Sequence, residues 1–406
     1  MYFTLGTNNN SMRIIKDVFW PEKMKLYFEQ TMRATPSQFR NFASGNLVRE
    51  IEDKARERNG TEVEEQDLVK AFLDTIPVYF RSDMVKLLAD LGINVSRPKQ
   101  EQIPVNDLVV VKDAIIKATG LAGVSHSEQI IESVMKAYEE SMLNFHTCIS
   151  FRTNTRRPEH RGLLVHIVDI FTQNNPYRVA IDNHLLPDND MPIDKLFNEL
   201  HDKIPVLGHT IEFGVETGIE RIGIMSASHL PYRLSKILNL PSIPDSIRTN
   251  LPILERFHLK NVSIFSVDYL RTQVATRFMT IQIPNMNVEW IENILRSLEF
   301  KVPSSTIIEL CVNAISIITG FSYIKSQLDY ISFQVCVGSL EEMPKNMNSF
   351  IENYARNAPF RSENSKYVFS VVFMKNGQLL EIENDYSGTL VDSLTGPFNQ
   401  KNMEEE

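Results

Sequence analysis

The sequence predicts an α+β fold: a ten-stranded antiparallel β-barrel surrounded by helices, preceded by a small all-α N-terminal domain. Three observations carry that expectation. Five pairs of alternating apolar and polar runs recur about every sixty residues, with helical stretches between them. Within the runs, one face is consistently apolar and the other largely polar. Ten antiparallel strands also tend to curl, split or close rather than stay flat. Closure accounts for both faces, since the apolar one packs on outer helices and the polar one lines a lumen. An open sheet with a solvated polar face is the alternative that shares this alternation.

Residues 1–20 read as a loose polar start and 21–97 as a small helical domain. In LVREIEDKARERNGTEVEEQDLVKAF, Leu47, Ile51 and Ala55 share a helical face and Asn59-Gly60 stops the helix. Thr61 and Glu64 then offer a capping box to the next helix. Residues 98–105, with Pro98 and Pro104, read as a linker. The barrel occupies 106–390, and 391–406 form a polar acidic tail.

Helices at 106–119 and 125–143 lead into the barrel. The hairpins are 145–151 with 163–169, 206–216 with 219–226, 262–269 with 271–283, 307–318 with 328–337, and 366–374 with 379–385. Thr217-Gly218 and Asn376-Gly377 supply turn signals for the second and fifth. Helices at 191–203, 244–258, 287–299 and 346–357 lie between them. The alternation assigns the faces. Ile149 and Phe151 point outward and Ser150 and Arg152 inward. Leu207, Ile211, Phe213 and Val215 oppose Thr210, Glu212 and Glu216. Ile331, Phe333, Val335 and Val337 oppose Tyr330, Ser332, Gln334 and Cys336. Tyr367, Phe369, Val371 and Phe373 oppose Lys366, Val368, Ser370 and Val372.

Composition narrows the function. With 406 residues, 43% hydrophobic and 23% charged, the chain has the makeup of a globular protein that can bury a full core. Three scattered cysteines, Cys148, Cys311 and Cys336, exclude a disulfide framework and a zinc motif. A reducing, cytoplasmic setting is the default expectation. No apolar run is long enough for a membrane span. The charge balance is +1 over residues 1–100 and −10 over the remaining 306, which argues against a nucleic-acid partner. Any anionic ligand therefore needs inward-facing positive charge. No P-loop, GxGxxG, GxSxG or DDxxD motif is present.

Three segments carry a family resemblance: PYRVAIDNHLLP (176–187), LPSIPDSIRTNLPILERFHLKNVSIFSVDYLRTQVATRF (240–278) and ENYARNAPF (352–360). From about residue 106 to 388 the chain resembles the soluble aromatic prenyltransferases of the ABBA, or PT-barrel, fold. The resemblance implies five ααββ repeats around a ten-stranded barrel. It also implies transfer of a prenyl group from a prenyl diphosphate, dimethylallyl or geranyl, to a small aromatic acceptor by electrophilic alkylation in the lumen. Residues about 40–80 resemble the small helical domain of a light-independent protochlorophyllide reductase subunit (PCP reductase); that module contains no cysteine.

This chemistry makes physical demands. Cations must hold the leaving diphosphate, and a dry cavity with aromatic faces must shelter the allylic cation. By resemblance, Arg221 and Arg271 stand where the family carries two diphosphate-binding lysines. Arg277, Tyr330, Arg152 and His166 complete the expected diphosphate set. Arg277 is either a third phosphate contact or a partner for Glu212. Glu212 and Ser316 are the expected catalytic pair that positions the acceptor. Gly223, Gln273, Ile318, Ser332 and Gln334 are expected to line the acceptor pocket.

The family's magnesium-ligating aspartate corresponds to Leu164 and a nearby serine to His166. No cofactor is therefore expected; magnesium is possible but not required, with His166 and Arg152 as candidates to replace its charge. Gly223 and Ile318 stand where the family has tyrosines, Tyr330 where it has an arginine, and Glu381 and Asp385 near a lysine and a tyrosine. Those departures leave two alternatives open, a non-catalytic ligand-binding barrel or a transferase for an unusual polar acceptor. A monomer is expected.

Overall fold

The computed structural model describes residues 107–143, 147–170, 174–188, 192–226, 232–270, 276–281, 286–339, 342–343, 348–361 and 366–390. The proposed N-terminal helical domain, the linker and the acidic tail lie outside these residues.

Helix α1 (Leu108–Ala122) starts where the Asp107 side chain accepts from the Val109 amide at 2.9 Å, and it stops at Gly123, whose φ of 65° is left-handed. The segment expected as one helix over 125–143 divides into α2 (Glu128–Ala137) and α3 (Glu139–Leu143). Tyr138 makes the break and donates its hydroxyl to Pro176 O at 2.7 Å. Further along lie α4 (Pro176–Asp182), α5 (Pro192–Lys203), α6 (Asp245–Arg256), α7 (Val288–Ser297), α8 (Ser305–Cys311) and α9 (Ser349–Asn357).

Ten strands close into one barrel, each antiparallel to its neighbours. They are β1 (Cys148–Asn154), β2 (Leu164–Ile170), β3 (Val206–Gly214), β4 (Gly218–Ser226), β7 (Ile264–Asp268), β8 (Thr276–Ile281), β9 (Ser316–Phe321), β10 (Tyr330–Val337), β11 (Tyr367–Met374) and β12 (Gly377–Asn384). Around the wall the order is β1-β12-β11-β10-β9-β8-β7-β4-β3-β2. The short strands β5 (Tyr232–Arg233) and β6 (Asn261–Val262) pair separately. The hairpins turn at Gly218 and Gly377, with φ of 79° and 138°, where a Cβ would be strained.

One expected strand is corrected. The run over 307–318 is a helix and then a strand: α8 buries Ile308 and Cys311, three apart, before β9 begins at Ser316. An unbroken apolar run carries no period to separate the two. Leu207 is also corrected. A register shift between Val206 and Gly208 lets it pack with Cys148, Val168 and Met225 rather than with the outer core.

The outer core holds Ile149, Phe151, Ile211, Phe213, Ile331, Phe333, Tyr367, Phe369, Val371 and Phe373, all from the expected outward faces. Inside the wall are two smaller apolar clusters. Cys148, Val168, Met225, Ile264, Val368 and Leu390 form one. Ile318, Tyr330, Val372 and Leu379 form the other, on β9 to β12. Among the described residues, no helix is long and apolar enough to cross a membrane.

Candidate active site

The lumen carries a continuous network of mostly buried charge drawn from β12, β1 to β4, β7 and β8. Glu212 on β3 pairs in register with His166 on β2 and Arg221 on β4. Its carboxylate contacts the guanidinium groups of both Arg152 and Arg221. Arg221 also lies 3.2 Å from Asp268 and 3.6 Å from Glu220. Arg277 reaches Asp268 at 3.7 Å and sits over the Tyr330 ring, 5.2 Å from its centroid. Glu383 on β12 accepts from Ser150 Oγ, contacts His166 Nδ1 at 2.8 Å and lies 3.7 Å from Arg152.

Burial sets the electrostatics of these groups. Burial and neighbouring Arg277 push the Arg221 guanidinium down to about 9, against the pull of Asp268. It still carries its proton at neutral pH. Burial pushes the Glu383 carboxyl up, but His166, Arg152 and Ser150 together outweigh it and hold it at about 2. For Arg152, burial works downward, and Glu383 and Glu381 lead the groups that raise it overall. Burial raises the Glu220 carboxyl, opposed by its hydrogen bond from Thr217. Three arginines thus meet four carboxylates here, Glu212, Glu220, Asp268 and Glu383. No guanidinium of this set stands without an anionic partner.

A sequence profile of the aromatic prenyltransferase Orf2 family matches residues 107–398. The chain belongs to that family. The aromatic prenyltransferase is 23% identical over 278 residues to the 5,10-dihydrophenazine-1-carboxylate 9-dimethylallyltransferase of Streptomyces anulatus, covering 68% of this chain and 92% of that one. It is 20% identical over 281 residues to the flaviolin linalyltransferase of Streptomyces virginiae, covering 69% and 92%. The 5-dimethylallyltryptophan synthase of Streptomyces coelicolor, a solved structure, aligns with a TM-score of 0.44 at 9% identity, covering 69% of this chain and 97% of its own. An aromatic prenyltransferase in a PT barrel was the leading expectation from the sequence, and the family match bears it out.

The structure brings Arg152, His166, Glu212, Arg221, Arg277 and Tyr330 of this aromatic prenyltransferase into one lumen. Arg277 meets Asp268 and Tyr330, and Glu212 is taken by two other arginines. Ser316 Oγ donates to Gln334 Oε1 at 2.7 Å. Ser332 and Ile318 pair in register beside them. Tyr330 Oη and Ser332 Oγ, both buried, make no hydrogen bond among the described residues. Arg271 and Gln273 fall outside those residues.

A Cβ on Gly223 would lie 2.3 Å from Thr210 Oγ1 and 2.6 Å from Ser266 Oγ. The glycine therefore admits two hydroxyls rather than open volume. Gly320 likewise lets the Tyr330 ring lie against the wall, where a Cβ would come within 2.1 Å of its Cε1.

Sequence reasoning missed Asp268, Glu220 and Glu383. Asp268 shares a strand face with Ile264 and Ser266, so alternation alone places it inward. Glu220 is the extra residue of a bulge, because Glu212 pairs with Arg221 but Phe213 with Ile219.

The residues at the family's metal position do not fit magnesium. Leu164 offers no oxygen, and Glu212 is clamped between two guanidinium groups. Among the described residues, no group of three or more His, Cys, Asp or Glu side chains is arranged to hold a metal ion.

Proposed function

We propose that the lumen binds a prenyl diphosphate, dimethylallyl or geranyl, against Arg221, Arg152 and Arg277, and alkylates a small aromatic acceptor held against β9 and β10. One observation carries this reading: two buried arginines and a half-buried third converge inside a closed wall that also carries an apolar cluster on β9 to β12. Arg271 is taken as a further phosphate contact and Gln273 as an acceptor contact. The names of the two relatives, a dimethylallyltransferase and a linalyltransferase, support a short prenyl donor.

The diphosphate oxygens exchange with Glu212 and Asp268 for the guanidinium groups, which grip phosphate through paired N–H donors. The bond between C1 and the bridging oxygen breaks, and its electron pair leaves with the diphosphate. His166 and the guanidinium groups share the developing negative charge. Tyr330 presents its ring beside the allylic cation. The apolar cluster of Ile318, Val372 and Leu379 receives the prenyl tail and keeps water away. A ring carbon of the acceptor bonds to C1, and the proton on that carbon passes to Glu212. The cationic ring is a strong acid, so a weakly basic carboxylate suffices.

Ser316, Gln334 and Ser332 orient the acceptor. The buried hydroxyls of Ser332 and Tyr330 favour an acceptor with its own polar group, since such a group completes their hydrogen bonding. The enzyme works as a monomer in a reducing cytoplasm, a setting that fits three cysteines without a disulfide.

The test combines dimethylallyl or geranyl diphosphate with a panel of phenolic, indole and phenazine acceptors, with and without EDTA. Prenylated product that persists in chelator is the expected result. Absence of product from every pairing, together with no calorimetric binding of a prenyl thiolodiphosphate, overturns the reading.

A further inference from the structure

The outer face of β2 and β3 departs from its own pattern at one place. Val165 pairs with Phe213 and Ile167 with Ile211, all apolar and packed under helices. The next outward pair is Asp169 opposite His209. Both are buried, at 1% and 2% exposure, on the helix side of the wall rather than the lumen side. They form the floor of a cavity of about 190 Å³, closed by α2, α3 and α4. That is several times the volume of a water molecule. The Tyr138–Pro176 hydrogen bond holds the helices over it.

The chemistry of this cavity is one-sided. Asp169 lies on the floor, and Glu140 and Asp182, both exposed, stand at the mouth. No lysine or arginine lines it. Neither ring nitrogen of His209 makes a hydrogen bond among the described residues. Burial, and then the stacked ring of His201, push the His209 imidazole down to about 3, so it is neutral at pH 7. A neutral imidazole offers a lone pair to an N–H donor without repelling a cation. Thr147 Oγ1 donates to Asp169 at 3.5 Å, whereas the His209 ring has no such bond, so it is the unsatisfied buried imidazole at the base of an acidic funnel that calls for a ligand.

We propose that this cavity is a second binding site, outside the barrel, for a short aliphatic diammonium compound. One ammonium group sits on the floor between Asp169 and His209, and the other reaches the carboxylates of Glu140 and Asp182 at the mouth. The volume admits a chain of a few methylene groups, which lie along Ile211 and Val179. Bound there, the ligand abuts the strand that carries Thr210 and Glu212 on its opposite face.

The probe is butane-1,4-diamine, titrated into the full chain by calorimetry and followed by the imidazole resonances of His209, assigned with His209→Gln. Saturable binding of one equivalent is expected, with movement of the His209 signals. Butylamine should bind about fivefold more weakly for want of the second charge. Asp169→Asn should weaken the diamine by more than about tenfold and Asp182→Asn by up to about fivefold. Asp182 is exposed, so its variant reports even where Asp169→Asn disturbs the fold, which thermal melting reveals. Absence of saturable binding overturns the proposal, as does equal binding by the wild type and both variants. Preferential binding of magnesium at equal ionic strength overturns it too. Thiolodiphosphate binding stays unchanged in Asp182→Asn, so failure here is separable from failure of the lumen chemistry.

Discussion

Glu212 and Arg221 face each other directly across the β3–β4 hairpin, and their side chains are in contact inside the barrel. The residue proposed to position the acceptor thus occupies the cation proposed to hold the donor. Diphosphate must displace the carboxylate, and in doing so releases it toward the acceptor. On that proposal the coupling predicts an order in which the diphosphate binds first.

Glu212→Gln separates the two roles. It removes the competing charge while keeping the shape of the side chain. The dissociation constant for a prenyl thiolodiphosphate is expected to fall by about tenfold, equivalent to about 1.4 kcal/mol. Turnover with acceptor is expected to drop by at least about a hundredfold. Calorimetry and product assays on the same preparation check both. Weaker diphosphate binding by this variant would show that Glu212 supports the site rather than competes for it.

Arg221→Lys keeps the charge but loses the planar fork, and should cost about tenfold in kcat/KM. Arg221→Ala leaves Glu212, Glu220 and Asp268 short of a buried partner and should cost about 3–5 kcal/mol of stability. Chemical denaturation measures that loss, so binding defects in the alanine variant are read only from its folded fraction.

Gly320→Ala drives a methyl group into the Tyr330 ring and shifts it from Arg277. Turnover should fall while the variant stays folded. Combining it with Tyr330→Phe should add little beyond either change alone, since contacting residues are not additive. Full additivity in a double-mutant cycle would exclude this steric route.

Asp385 gives a pH dependence of its own. Burial raises its carboxyl from 3.8 to about 7, although the Leu390 and Gly388 amides donate to its oxygens. Its folded value exceeds the unfolded one, so ionising it opposes folding. Its stabilising contribution is full below about pH 4 and is lost as pH rises toward 7, by at most roughly 4 kcal/mol. Glu383 acts in the other direction and lower down. Its contribution is full above about 4.5 and is lost as pH falls toward 2. Asp385→Asn should flatten the profile between pH 4 and 7 in urea unfolding and leave the acid limb in place.

The barrel was legible because period-two alternation survives wherever both faces of a strand are constrained, as in Tyr367 to Phe373 and Ile331 to Val337. Residues 307–318 were misread because an apolar run buries equally well as a helix. The Thr217-Gly218 turn placed β3 and β4, but plain register from that turn sets Glu212 opposite Glu220, and only the bulge brings it to Arg221. Asp268 and Glu383 reach the site through strands distant in sequence, and alternation gives their face but not their partners. The bulge that turns Glu220 toward Arg221 has no signal in composition at all.

The closed wall has a consequence for how such enzymes diversify. Every strand edge is bonded to a neighbour, so the chamber cannot widen by parting a seam or inserting a strand without breaking a ladder on both sides. Changes in acceptor must come from exchanging the furniture inside a fixed room. A sequence can therefore drift far from its relatives at the lumen face while the outward face keeps the same apolar grammar.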